Sequence, residues 1–352
     1  MTRSSSAVRE SLCRADKPYS PGRRLLGRRL ALFAAGALAA FAFAGKPAQA
    51  QEFPTRAITM VVPFAAGGPT DTVARLIAES MSKSLGQQVV VENVGGAGGT
   101  RGAGQVAKAT PDGYTVLVHH IGQATSATLY RKLAYNVLTD FTEMGLITDV
   151  PMTMIAKKDF APTSIPELIA YVKENKDKIV YGNAGVGSAS HLCGMLFMSA
   201  LDTQMTTVPY QGTGPAMNDL VGGQIDLMCD QTTNTTGQIK SGKVKAYGVT
   251  TPARVKSLPD LPTFDEAGLK GFEVAVWHGM YGPKGVPPEV VAKLNGALKA
   301  ALQDPKVIAR FADLGTEPVA LDRATPEVHK AFVASEVAKW KPVIEKAGVF
   351  AD

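Results

Sequence analysis

The chain has none of the short signatures of common hydrolytic or nucleotide-dependent enzymes. No G-x-S-x-G elbow, G-x-x-x-x-G-K-[ST] loop, H-E-x-x-H or C-x-x-C occurs in its 352 residues, which removes the standard nucleophile, phosphate-loop, zinc-peptidase and redox-pair readings. Cysteine is scarce, with three in all. Cys13 precedes the processing site inferred below, so only Cys193 and Cys229 remain, either as a pair or as two small apolar residues. No apolar stretch reaches the ~20 residues that a bilayer-spanning helix needs. An excess of positive charge is also missing where it would matter. Residues 1–50 hold nine basic and two acidic residues, more than the whole chain's +6, and the rest balances 28 basic against 29 acidic. Nothing there suggests nucleic acid as a partner or an anionic membrane surface.

The first fifty residues read as an export leader. Arg23, Arg24, Arg28 and Arg29 form a charged region, 30–45 is apolar, and Ala48-Gln49-Ala50 fits a small-residue cleavage pattern. Cleavage after Ala50 is expected, by the general or the twin-arginine route, followed by a periplasmic protein. The roughly 300 residues that follow suit two lobes.

Strand-like and helix-like segments alternate along them, which argues for parallel sheets covered by helices. The most informative stretch is ITMVVPFAAGGPTD, residues 58–71. Ile58 to Val62 suits a buried strand, Gly67 and Gly68 permit a tight turn, and Pro69, Thr70 and Asp71 are helix-start residues. Val73, Leu76, Ile77, Met81 and Leu85 would face the core, with Gly86 as the stop. YGNAGVGSASHL repeats this logic, with Asn183, Gly185 and Gly187 in the turn, Ser188 as N-cap and His191 in the first helical turn. Each mouth would present free N–H groups and the positive end of a helix dipole, which suits an anion. A neutral His191 is expected beside such a dipole.

Four other places carry candidate chemistry. His119 and His120 end a strand, one facing a crevice and the other the interior. No carboxylate or further histidine has ligand spacing to them, so no metal is expected. VPYQGTGPA places Tyr210 and Gly212 in a strand-to-helix turn, and DLMCDQTTN puts Asp230 and Gln231 at a strand end. Trp277 is either core or a platform at the cleft. Gly102, Gly104 and Ala107 fit a G-x-G-x-x-A spacing, but the strand lies too far upstream for a dinucleotide turn. Residues 251–271, rich in Pro and Gly, read as a long surface connection.

In order and spacing, VVPFAAGGPTD, VVVEN with GGAGG, PDGYTVL, YGNAGVGSASHL, VPYQGTGPA, LVGGQIDLMCD and LPTFDEAG resemble the Bug family. These are the extracytoplasmic solute receptors of tripartite tricarboxylate transporters. The resemblance runs from Phe53 to Asp352. It implies an α/β fold of the two-lobed periplasmic binding protein kind (type II-like), with a ligand cleft between two mixed or parallel sheets. Lobe 1 would comprise 51–152 and 278–352, and lobe 2 residues 153–277. It further implies that Phe64, Ala65, Gly67, Gly68 and Asp71 in one loop, and Gly185, Gly187, Ser188 and His191 in the other, form a pincer on a carboxylate. His119 and His120 stand where family members usually carry small polar residues, so the pocket wall should differ here. Helix mouths contribute up to ~2 kcal/mol each and charge-assisted N–H bonds roughly 1.5–3 kcal/mol, together enough for micromolar binding without a buried arginine. The expected protein is therefore a monomeric, cofactor-free, non-enzymatic receptor that captures a small organic carboxylate for a membrane permease. A sensor of the same fold, or an exported hydrolase or isomerase using one of the histidines, is the alternative.

Overall fold

The first strand is apolar on both of its faces: Ile58, Met60, Val61 and Val62 are buried, and only Thr59 is partly exposed. Such a segment needs neighbours on both edges and cover on both faces. This strand, β1 (Ile58–Val62), is hydrogen-bonded on both edges, parallel to β2 (Val89–Asn93) and to β3 (Thr115–His120). These positions come from a computed structural model that describes residues 52–348, 350 and 351. The expected leader, 1–50, lies outside the described residues, and Phe53–Asp352 forms one compact unit.

In chain order, α1 (Pro69–Leu85) follows β1, then β2, α2 (Thr100–Ala107), β3, α3 (Gly122–Leu129), β4 (Phe141–Lys157), α4 (Ile165–Asn175), β5 (Val180–Asn183) and α5 (Ala189–Ala200). The second half adds β6 (Thr206–Pro209), α6 (Thr213–Val221), β7 (Leu227–Gln231), α7 (Thr232–Lys240), β8 (Val244–Val249), β9 (Ala275–Pro283), α8 (Pro288–Leu302), α9 (Pro305–Asp313), β10 (Glu317–Pro318) and α10 (Pro326–Ala347). The mixed sheet runs β2-β1-β3-β9-β4-β7-β5-β6, with β8 and β10 also paired to β4.

Helix ends obey local chemistry. Gly86 closes α1 at φ 67°, a left-handed conformation that costs glycine nothing. Ser164 accepts the Glu167 N–H, while the Glu167 carboxylate turns back to Thr163. In α1, Val73, Ile77, Met81 and Leu85 are buried and Leu76 sits at the edge of that face.

Two parallel triplets, β2-β1-β3 and β7-β5-β6, stand at the two ends of the strand order. Between them lie β9 and the long β4, antiparallel to each other. β4 pairs with β9 up to Pro151 and with β7 and β8 from Met152 onward. Pro151, which has no N–H to offer a ladder, sits where the strand changes partners. The residue pattern marks a strand only at Met152 to Ala156, and gives no clear sign of β8 or β9. Residues 251–271 are also more than a surface connection. Val255, Leu258 and Phe264 are buried, and Phe264 packs edge-on against Phe272 with centroids 5.0 Å apart.

Cys193 on α5 and Cys229 on β7 are joined as a disulfide, 36 residues apart in sequence with Cα atoms 6.1 Å apart. The bond ties a helix to the strand beneath it and closes a long loop. Reduction, or Cys193→Ala with Cys229→Ala, should lower unfolding stability by about 4 kcal/mol through loop-closure entropy. Denaturant unfolding with and without reductant measures this, and an unmoved midpoint would contradict it.

Candidate functional site

β1 and β5 are each the middle strand of a parallel triplet, and each runs through a glycine turn into a helix. The carboxyl ends of parallel strands are where open α/β sheets leave a crevice. Here the ends of β1, β3, β5 and β7 meet around one cavity, to which they contribute Phe64, His120, Ala184 and Gln231. Four helix starts border the same space: Gly68 and Pro69 of α1, Ser188 and Ala189 of α5, Thr213 of α6, and Gln231 ahead of α7. No side chain caps α1, α6 or α7. The first N–H to bond back in α1 is that of Thr72, to Gly68 O, so the N–H groups of Thr70 and Asp71 have no backbone partner in that turn. At α5, Ser188 Oγ accepts the His191 N–H at 3.2 Å.

Asp71 serves the loop itself. Its carboxylate accepts the Gly67 N–H at 3.0 Å, Arg75 Nε at 2.9 Å and Asn93 Nδ2 at 2.9 Å. Asn93 also donates to Phe64 O at 3.0 Å, so this network sets the shape of residues 64–71. Burial raises the Asp71 pKa, but the hydrogen bonds from Arg75, Gly67 and Asn93 outweigh it and hold it below the ordinary value. Asp71 therefore positions the turn, and the charge of Arg75 is matched by Asp71.

The second turn is held in the same manner. Asn183 Oδ1 accepts the Gly185 N–H at 2.9 Å, and Ser190 Oγ accepts the Ala184 N–H at 2.8 Å. Gly185 and Gly187 take φ 101° and 88°, conformations that only glycine adopts without strain. Across from it, Ala65 donates its N–H to Gln211 O at 2.9 Å, Tyr130 Oη donates to Val186 O at 2.7 Å, and Thr125 Oγ1 to Gly187 O at 3.2 Å. A Cβ on Gly212 would stand 3.0 Å from Ala65 N, so Ala65 and Gly212 form the seam between two loops. The cavity is correspondingly tight, with ≈ 10 Å³ open to the centre of a water-sized sphere.

Histidines form one wall. His120 lines the cavity and stacks on Phe64, with centroids 4.7 Å apart, while His119 lies behind it against Phe64 and Gly99. His119 Nδ1 accepts the His120 N–H and His120 Nδ1 accepts the Gly122 N–H, which leaves the proton of each neutral ring on Nε2. Burial lowers His120 to about 3 and His119 and His278 well below the usual value. His191 is lowered to about 4 by burial, so its ring is neutral as expected. His278, which no sequence pattern singles out, faces Thr70 Oγ1 with its Nε2 at 3.2 Å.

Three expected side chains lie elsewhere, and the first, His191, lines a separate groove with Met195, Met198 and Asp202. Trp277 points away from His278, as neighbours on a strand do; its Nε1 donates to Glu336 Oε2 at 3.0 Å, and its ring packs on Phe332. It is a core anchor to α10 rather than a platform. Tyr210 turns its hydroxyl to Asp219 Oδ2 at 2.6 Å, so only the backbone of that residue reaches the seam. Conversely, Thr70, Ser190 and Thr213 line the cavity although the sequence argument gives them no ligand role; their position in a first helical turn is the available signal.

Polar atoms without partners collect here. Gln231 Oε1 on the cavity wall, and His119 Nε2 and His278 Nδ1 near it, are buried and unpaired. Natural interiors pair more than about 90 % of such groups, and each exception costs ~1–3 kcal/mol. Asp230, buried on the same wall, is raised to about 6 by burial, against the opposing hydrogen bonds of Asn234, Gln231 and Thr213. No lysine or arginine lines the cavity among the described residues. A larger groove of ≈ 450 Å³ lies beside Asp149, Arg254, Lys256 and Arg323, but each of its cations is already ion-paired, Arg323 with Asp149, Lys256 with Glu317 and Arg254 with Glu266.

Residues 73–349 match a family described as "Tripartite tricarboxylate transporter family receptor". A protein encoded in the TAR-I ttuE-ttuC' intergenic region of Agrobacterium vitis is 57% identical over 302 residues, covering 86% of this chain and 87% of that protein. Among solved structures, the periplasmic binding protein BugD is 57% identical with a TM-score of 0.84, covering 85% of this chain and 100% of its own. MatC from Rhodopseudomonas palustris with bound malate is 44% identical with a TM-score of 0.81, covering 83% and 100%.

Proposed function

The chain belongs to the tripartite tricarboxylate transporter receptor family, and from that premise we propose how this member works. It is a periplasmic receptor that captures a small organic carboxylate in the cavity at the four helix starts and hands it to a membrane permease. The observation that carries this reading is the convergence of uncapped helix mouths and unpaired buried polar atoms on one space without cationic side chains. Neutral donors hold an anion by oriented dipoles and release it again without breaking an ion pair.

Two lobes, 51–152 with 278–352 and 153–277, close on the ligand. The exchange of partners along β4 at Pro151 and Met152 supports that division, because it leaves few strands running between the triplets. The loops of Ala65 and Gly185–Gly187 come from opposite lobes, and the tight cavity is the closed arrangement; a ligand enters when the lobes part. The leader is cleaved after Ala50 during export. An acid–base enzyme is disfavoured because no histidine here titrates near neutrality.

The test is a thermal-shift screen of the mature protein against a carboxylate library, starting with four-carbon dicarboxylates such as the malate held by MatC. A binding acid should raise the midpoint and give a dissociation constant of about 1 μM by calorimetry, ~8 kcal/mol. The acid should be recovered unchanged. Turnover of the acid, or no response to any carboxylate, would remove the receptor reading.

A further inference from the structure

We propose that Asp230 sets the chemical class of the ligand: the acid carries a hydroxyl or ammonium group beside its carboxylate, and that group donates a hydrogen bond to Asp230. The inference rests on the receptor reading and adds to it.

The cavity has two unlike sides. One offers donors, the first N–H groups of α1 and the Nε2–H of His120. The other, beside the starts of α6 and α7, carries the strong acceptors, the Asp230 carboxylate and the unpaired Gln231 Oε1. A carboxylate bound at the donor side leaves the acceptor side to be met by the rest of the molecule.

Asp230 is 1% exposed at the end of β7. Asn234, one turn along α7, donates to its Oδ2 at 2.6 Å. The groups acting on it are Asn234, Gln231 and Thr213, with no cation among them. A carboxylate can accept about four hydrogen bonds, so it has capacity to spare. An unsubstituted acid would set either methylene groups or a second carboxylate against it. The first leaves a buried charge without a further donor, and the second buries two like charges together. A hydroxyl or ammonium on the ligand resolves both costs.

Calorimetry on the mature protein with matched acids tests this: succinate, malate and aspartate, and the glutarate and adipate series with their 2-hydroxy and 2-amino counterparts. In the series that binds, a substituted acid should bind at least about tenfold tighter than its unsubstituted parent, the loss expected for one missing charge-assisted hydrogen bond. Asp230→Ala should bring that ratio close to one. Asp230→Asn, which keeps an accepting oxygen but no charge, should erode the preference for the amino acid more than for the hydroxy acid, which separates the two donors. Equal binding of parent and substituted acids, or a preference that survives Asp230→Ala, would overturn the inference while leaving the receptor reading in place. Binding by none of these acids, when the wider carboxylate screen finds a ligand without a hydroxyl or ammonium group, would overturn the inference alone, and an empty wider screen would overturn both.

Discussion

Gly98→Ala should abolish tight ligand binding while leaving the unliganded protein folded. Gly98 sits at φ +59°, and a Cβ there would lie 1.9 Å from Val186 O and 2.9 Å from Tyr130 Oη. The oxygen belongs to backbone, and it already accepts the Tyr130 hydroxyl at 2.7 Å, so neither atom can yield cheaply. Under the two-lobed reading Gly98 and Tyr130 belong to one lobe and Val186 to the other, so the backbone collision with Val186 O arises only on closure. The left-handed backbone costs alanine roughly 1–2 kcal/mol in either arrangement, whereas the collision acts on the closed one alone. Affinity should fall at least about 100-fold, the equivalent of ~2.7 kcal/mol. Gly86→Ala is the control, since Gly86 has φ +67° and nothing within 4 Å of its Cβ position; it should lose stability and keep affinity. Wild-type affinity in Gly98→Ala would show that closure does not bring these loops together.

Acid should destabilise the protein steeply, and histidine is the reason. The sequence has five, and all are buried: His120 and His329 are lowered to about 3, His191 to about 4, and His119 and His278 fall well below the usual value. An unfolded histidine titrates near 6.5, so below that pH the unfolded chain binds more protons than the folded one. Stability is complete above about 6.5 and is lost as pH falls toward the folded values, at about 1.4 kcal/mol per pH unit for each histidine. Asp230 works in the other direction. Its folded value of about 6 exceeds its unfolded 3.8, so protonation favours the folded state between those limits, and buried Glu143 acts in the same sense. The net uptake on unfolding near pH 5 is about three to four protons, or roughly 4–6 kcal/mol per pH unit. A domain with ~5–15 kcal/mol of stability would not survive far below pH 5. Urea midpoints at pH 7, 6 and 5 should fall in step. A midpoint that holds constant over that range would mean the imidazoles are not buried in neutral form.

Much of the site was legible because its turns are governed by neighbours in sequence. Gly67, Gly68, Gly185 and Gly187 advertise backbone that only glycine takes easily, and Pro69 and Ser188 mark helix starts whatever surrounds them. The buried faces of α1 and α8 follow from spacing alone. Long-range pairing was not legible in this way. β4 contains Gly145 and Pro151, residues that argue against a strand, and it persists because β9, β7 and β8 satisfy its backbone from both sides. Trp277 and His278 are adjacent, and only the packing of α10 against β9 decides which of them turns toward Thr70.

The amino-acid order by itself determined that two glycine turns lead from buried strands into helices, since that depends on sterics and hydrogen bonding within a few residues. It equally determined that the chain beyond residue 50 is close to neutral overall and apolar enough to fold. Only the tertiary structure decided what those turns enclose. It joined Cys193 to Cys229, turned Asp71 inward to Arg75, put His120 on the wall and His119 behind it, and buried Asp230 on the cavity wall without a cationic partner. Charge, proton affinity and access depend on atoms brought from distant parts of the chain into a medium of low dielectric, and no local pattern carries that information.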